Sequence, residues 1–134
     1  MKRTIYISVA IAIIIFMSAC DMVTPVSRTE RLGMFIDDLN VTANHSQMPE
    51  HFSQANMGGG WSKVTDSSYW SSSADGWDRI PFSYTITSQS GNTITASLTP
   101  NGFSAETFDF YFVEEEEDIW KIYQVDRLGT PIIQ

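Results

Sequence analysis

Near residue 80 the hydrophobic period of this chain changes from about 3.6 to 2, which limits the fold to helices first and sheet afterwards. Upstream, Leu32, Phe35, Ile36 and Leu39 recur at helical spacing. Ser27 and Glu30 form a capping-box pair: the serine accepts from the backbone three residues on, and the glutamate reaches back. This predicts a helix over 28–40, with Glu30, Asp37 and Asp38 off its apolar stripe, on a solvated face. Gly33 costs that helix about 1 kcal/mol against alanine, so it marks either close packing or nothing. A second helix is expected from near Ser46, carrying Met48, Phe52 and Ala55 and ended by Gly58-Gly59-Gly60. The stretch 61–77 is serine-rich, yet it holds Trp61, Tyr69, Trp70 and Trp77. A flexible linker has no use for such rings. An ordered loop with a short helix at 67–72 is expected.

Downstream, apolar and polar residues alternate. Ile80, Phe82, Tyr84 and Ile86 mark a first strand, and Ile94, Ala96 and Leu98 a second. Keeping Ile86 and Ile94 on one face requires an odd-numbered loop between them, because a two-residue turn flips one apolar set. The third strand, 105–114, puts Phe108, Phe110 and Phe112 on one face and Asp109, Tyr111 and Val113 on the other. A five-residue acidic loop, 114–118, pairs Val113 with Ile119 and brings Trp120 and Ile122 to the phenylalanine face of the fourth strand, 119–126. Tyr111, Val113, Ile119, Tyr123 and Val125 then form an apolar outer face, through which a homodimer is expected. The tail 128–134 either adds a short strand or packs loosely. Helices followed by an antiparallel meander give an α+β fold, with N-terminal helices packed on a curved sheet.

Sixteen acidic residues face eight basic ones, a net −8. Lys2 and Arg3 lie in a segment expected to be removed, which leaves six basic against sixteen acidic, or −10. Such a body lacks the basic stripe that nucleic acid requires. One cysteine excludes an internal disulfide framework. Residues 5–19 form a fifteen-residue uncharged run after Met1-Lys2-Arg3. That is short of the roughly 18–20 residues of a spanning helix and matches a secretory leader. It ends Met17-Ser18-Ala19-Cys20, which resembles the lipobox of bacterial lipoproteins, with methionine in place of the more usual leucine. The resemblance implies cleavage after residue 19, lipid on Cys20, and anchoring to the cell-envelope membrane. Several acyl chains hold where one does not, at about 0.8 kcal/mol per buried methylene. Asp21 resembles an inner-membrane retention signal, which favours the periplasmic side of that membrane over the outer membrane. The expected organisation is a signal peptide at 1–19, lipidated cysteine and tether at 20–27, and one domain at 28–134.

The amphipathic first helix, the shorter helical segment, the hairpins and the strand opening Trp120-Lys121-Ile122 resemble the nuclear transport factor 2-like superfamily; a cystatin-like sheet wrapped on one helix shares most of these features. The resemblance implies a cone whose sheet and helix enclose a pocket. Lining residues would be Phe35, Leu39, Trp70, Trp77, Tyr84, Phe108, Phe110 and Trp120. Its occupant would be a small apolar ligand, or a partner protein at its mouth, in a noncatalytic module. The alternatives are an isomerase- or cyclase-type enzyme, which needs an inward carboxylate and makes Asp109 and His51 the residues to inspect, and a structural subunit of an envelope complex. His45, Met48, His51 and Met57 carry copper-type donors. Positions 45, 48 and 51 drift about 60° around a helix, however, so the simpler reading has Met48 in the core and both histidines exposed. The 114–118 run lacks the alternation and glycine of a calcium loop. No metal or cofactor is expected.

Overall fold

The computed structural model describes residues 24–134; the leader, Cys20 and Asp21 lie outside the described residues. Helix α1 is Arg28–Leu39. Irregular 3-10 turns follow at Thr42–His51 and Gln54–Asn56, then helix α2 at Trp61–Thr65 and a 3-10 turn at Tyr69–Ser71. The strands are β1 Phe82–Ser90, β2 Thr93–Pro100, β3 Glu106–Glu116, β4 Ile119–Arg127 and β5 Thr130–Ile133. They form one open antiparallel sheet in the order β1-β2-β3-β4-β5, so the chain is α+β.

The capping box closes α1 as its residues dictate. Ser27 Oγ accepts from the Glu30 amide at 3.2 Å, and Glu30 Oε2 accepts from the Ser27 amide at 2.8 Å. Gly33 marks close packing, because a Cβ there would sit 3.2 Å from Tyr84 Oη on β1. The expected second helix is instead the 3-10 segment Thr42–His51. Pro49 has no amide to donate inside it, and Val41 offers no side-chain cap. Phe52 then turns extended and bridges Ile122 of β4. Ala55 is exposed. The glycine triplet precedes α2 and ends no helix. The Gly60 amide donates to Gln134 O at 2.7 Å, an approach so close that any Cβ would run into the Gln134 backbone.

Bulges set the register where the alternating pattern left it to loop length. The β1–β2 turn has two residues, Gly91 and Asn92, with Gly91 at φ 56°. A bulge at Thr87 supplies the odd residue, so Ile86 meets Ala96 and stays on the face of Ile94. The β3–β4 turn is also two residues, Glu117 and Asp118, with Glu116 opposite Ile119. Val113 therefore pairs with Lys121, not Ile119. A bulge at Glu115 sets Glu114 opposite Trp120, and Ile122 lies opposite Phe112 on the phenylalanine face as expected. A further bulge at Tyr123 reverses the alternation, so Val125 pairs with Phe110 and is fully buried in the core, not on the outer face. Tyr111, Val113, Ile119 and Tyr123 are half-buried, and the Tyr111 and Tyr123 rings lie 6.3 Å apart.

Helix α1 reaches from β1 to β4 across the sheet. Gly33 meets β1, while the Arg28 guanidinium lies 5.1 Å from the Trp120 ring on β4 and donates to Gly91 O at the β1–β2 turn. Phe35 is the centre of the interior. Its ring meets His51, Phe52, Trp70, Trp77 and Phe110 edge-on, with centroids 5.7–6.1 Å apart. Such pairs each add about 0.5–1.5 kcal/mol beyond their buried area. The indoles are satisfied as well: Trp70 Nε1 donates to Val64 O at 3.1 Å, Trp77 Nε1 to Tyr69 Oη at 3.1 Å, and Tyr69 Oη to Asp75 Oδ2 at 2.7 Å. Burial, then the Asp75 bond, pushes the Tyr69 phenol far above its ordinary range. Phe35→Ala should lower the unfolding free energy by about 3–5 kcal/mol in urea titrations, whereas Thr107→Ala on the outer face should change it by less than about 0.5 kcal/mol.

Candidate functional site: a mixed-charge groove along β4

Strand β5 pairs only with Val125, Asp126 and Arg127, leaving the first half of β4 with an open side. Three separate groups fill it. Val26 donates to Asp118 O at 2.8 Å and accepts from the Trp120 amide at 3.1 Å. Arg31 Nε donates to Trp120 O at 2.8 Å. The Ser53 amide donates to Ile122 O at 2.8 Å. Arg31 thus does with a side chain what a neighbouring strand would do with its backbone. It is 6% exposed, its Nη1 also faces Glu50 O and His51 Nδ1, and among the described residues no carboxylate forms an ion pair with it.

Behind Arg31 lies His51, 2% exposed. Its Nε2 is 2.8 Å from Asp38 Oδ2, and Asp38 Oδ1 accepts from Asn44 Nδ2 at 2.8 Å. Because Arg31 donates toward Nδ1, the partners assign the His51 proton to Nε2. Burial holds this imidazole below its ordinary pKa; the Asp38 bond opposes the shift without cancelling it, and the Arg31 charge reinforces it. His45 is equally buried, with Nε2 2.9 Å from Leu39 O at the end of α1 and Nδ1 3.0 Å from Ser71 Oγ. Both histidines, expected on the surface, are polar pins inside it, and Asp38 is half-buried where a solvated face was expected.

In front of Arg31 a cleft of about 390 Å³ opens, lined by Val26, Arg31, Glu50, Glu115, Glu116, Ile119 and Lys121. It continues into a second of about 440 Å³, which shares Glu115 and Lys121 and adds Pro49, Phe52, Gln54, Ala55 and Trp61. The groove therefore has two cations and three carboxylates at one end and an indole at the other. The Arg31 guanidinium in its wall is held by the Trp120 and Glu50 carbonyls.

Of the eight residues expected to line an internal pocket, six lie in the buried core and two at its margin. Phe35, Leu39, Trp70, Trp77, Phe108 and Phe110 are buried against one another, and Tyr84 and Trp120 are half-buried at the margin of that cluster. None of them lines either cleft. Asp109 faces outward and accepts from Thr95 Oγ1 at 2.6 Å. The copper-type pattern is dispersed: Met48 is in the core and both histidines are occupied. Among the described residues no group of three or more His, Cys, Asp or Glu side chains is arranged to hold a metal ion. Arg31 was the missed residue. Its signal was its place, four residues before Phe35 and next to Leu32, on the buried side of α1.

No protein-family model, curated protein or solved structure matches the chain.

The His51 shift has a definite sign. Its folded pKa lies below the unfolded value of about 6.5, so between the two the unfolded chain binds more protons and stability rises with pH. The urea midpoint should therefore fall as pH is lowered from 7.5 through 6.5 toward 5.5. His51→Gln, which keeps a donor for Asp38 but does not titrate, should flatten that slope; equal slopes in the two proteins would contradict the assignment.

Proposed function

We propose that this chain is a lipid-anchored protein of the bacterial cell envelope whose domain is a noncatalytic interaction module, with the groove along β4 as its recognition face. The observation that carries the reading is the position of Val26. It is the first of the described residues to pair with the domain, it forms part of the groove wall, and it follows Cys20 by six residues. Even fully extended, those six steps span only about 20 Å. Lipid on Cys20 would therefore keep the groove at the membrane surface, where its partner must also be. The carboxylates of the 114–118 tip beside Val26 would stand against anionic headgroups, so the domain is tethered without lying down on the bilayer. No described helix is long and apolar enough to cross a membrane.

A helix held in the bend of an antiparallel meander supports kinship with the nuclear transport factor 2-like superfamily. The ring-on-ring interior favours a protein partner over a small apolar ligand within that kinship. Asp21 favours the periplasmic side of the inner membrane.

Cells fed an alkyne-bearing palmitate should label the wild-type chain and retain it in the membrane fraction. Cys20→Ser should be unlabelled. An unlabelled, full-length wild-type chain would refute the anchor. For the groove, a photo-crosslinking residue in place of Lys121 should trap a defined adduct in intact membranes, and one in place of Thr107 should not.

A further inference from the structure

The two edges of the sheet are treated differently. The β4 side is closed by Val26, Arg31 and Ser53 and then by β5. Among the described residues, the β1 side is closed at one point only. Asn40, just beyond α1, places its side-chain amide against Phe82 as a strand residue would: Asn40 Nδ2 donates to Phe82 O at 2.8 Å, and the Phe82 amide donates to Asn40 Oδ1 at 2.6 Å. Phe82 thus turns its backbone groups away from β2. Orientation alternates along a strand, so Tyr84 and Ile86 also turn their N–H and C=O groups to the open side. Among the described residues, no backbone or side-chain group pairs with that edge beyond Phe82. Edges of soluble proteins are commonly guarded by charge or proline. Here Phe82–Ser90 holds neither; the nearest proline, Pro81, lies just before it. The whole stretch 80–105 contains no Asp, Glu, Lys or Arg, although the chain has sixteen acidic residues.

We propose that β1 pairs antiparallel with β1 of a second copy, about a two-fold axis at Thr85. The occupant follows from charge and register. Copies of a strongly acidic protein repel one another over most of their surface, and this neutral edge is where two can meet without opposing carboxylates. The outer sheet face does not offer that, because Asp109 and Asp126 lie opposite each other there. With Thr85 on the axis, Tyr84 of one copy faces Ile86 of the other, and both residues have their backbone groups aimed outward. The pair exchanges backbone hydrogen bonds in both directions. The two exposed Thr85 side chains meet as a close, non-hydrogen-bonded pair, a favourable cross-strand match. Asn40 at Phe82 and the bulge at Thr87 mark the two ends of the paired segment. The result is one ten-stranded sheet through an isologous contact. The proposal does not depend on the lipid anchor.

Thr85→Cys in the full chain tests it. Cα atoms of a close antiparallel pair lie about 4.5 Å apart, within disulfide range. Mild oxidation of purified protein, in a Cys20→Ser background that removes the natural thiol, should convert most of the Thr85→Cys chain to a covalent dimer, with none from the background alone or from Thr107→Cys. Thr85→Lys, which sets like charges on the axis at an exposed position, should lower the dimer trapped by a short bifunctional reagent at least tenfold, and Thr85→Ser should preserve it. Two results would each overturn the proposal: no Thr85→Cys dimer, or dimer formation through Tyr123→Cys on the outer face instead.

Discussion

The five edge-on contacts of the Phe35 ring hold this structure together. They join α1 to His51 and Phe52 of the irregular segment, to Trp70 and Trp77 of the serine-rich loop, and to Phe110 at the middle of the sheet. A single side chain on one helix thereby ties three separate stretches of chain to one point. Two of those stretches have little regular structure of their own, and their order comes from these rings. The rings fill the space between helix and sheet with one connected cluster.

What the rim offers follows from how the sheet is bent. Bulges at Thr87, Glu115 and Tyr123, with another irregularity where β4 meets β5, let five strands curve about one helix. The curve brings α1 within reach of β4, so that Arg31 can satisfy the Trp120 carbonyl from the helix side. The same guanidinium separates the buried His51–Asp38 pair from the open groove. It joins a packing problem, an unfinished sheet edge, to a groove bearing both signs of charge.

Much of the fold was legible in the chain. Ser27 and Glu30 announced the start of α1, and period-2 alternation located four strands and the phenylalanine face. What stayed hidden has physical causes. A bulge adds a residue without changing the local pattern, so the reversal at Tyr123 that buries Val125 leaves no trace in hydrophobicity. Pro49 was visible, but its effect on a weak helix depended on Phe52 being drawn to β4. The rings of 61–77 announced an ordered loop, but not that Trp70 and Trp77 would be fully buried against Phe35, because that contact joins segments far apart in the chain. The groove escaped notice because it is assembled from three distant segments, and because arginine on an apolar stripe passes for tolerance and not for a hydrogen-bonding device.

Hydrogen exchange at the indole N–H groups of Trp70 and Trp77, followed as a function of low denaturant, tests most directly whether the interior is filled. If the rings around Phe35 form one packed body, both protons exchange only through global unfolding, with the full denaturant dependence of that transition. Exchange that is insensitive to denaturant, at free energies well below the global value, would mean that solvent reaches a cavity between helix and sheet, and the account of a surface-borne function would be wrong.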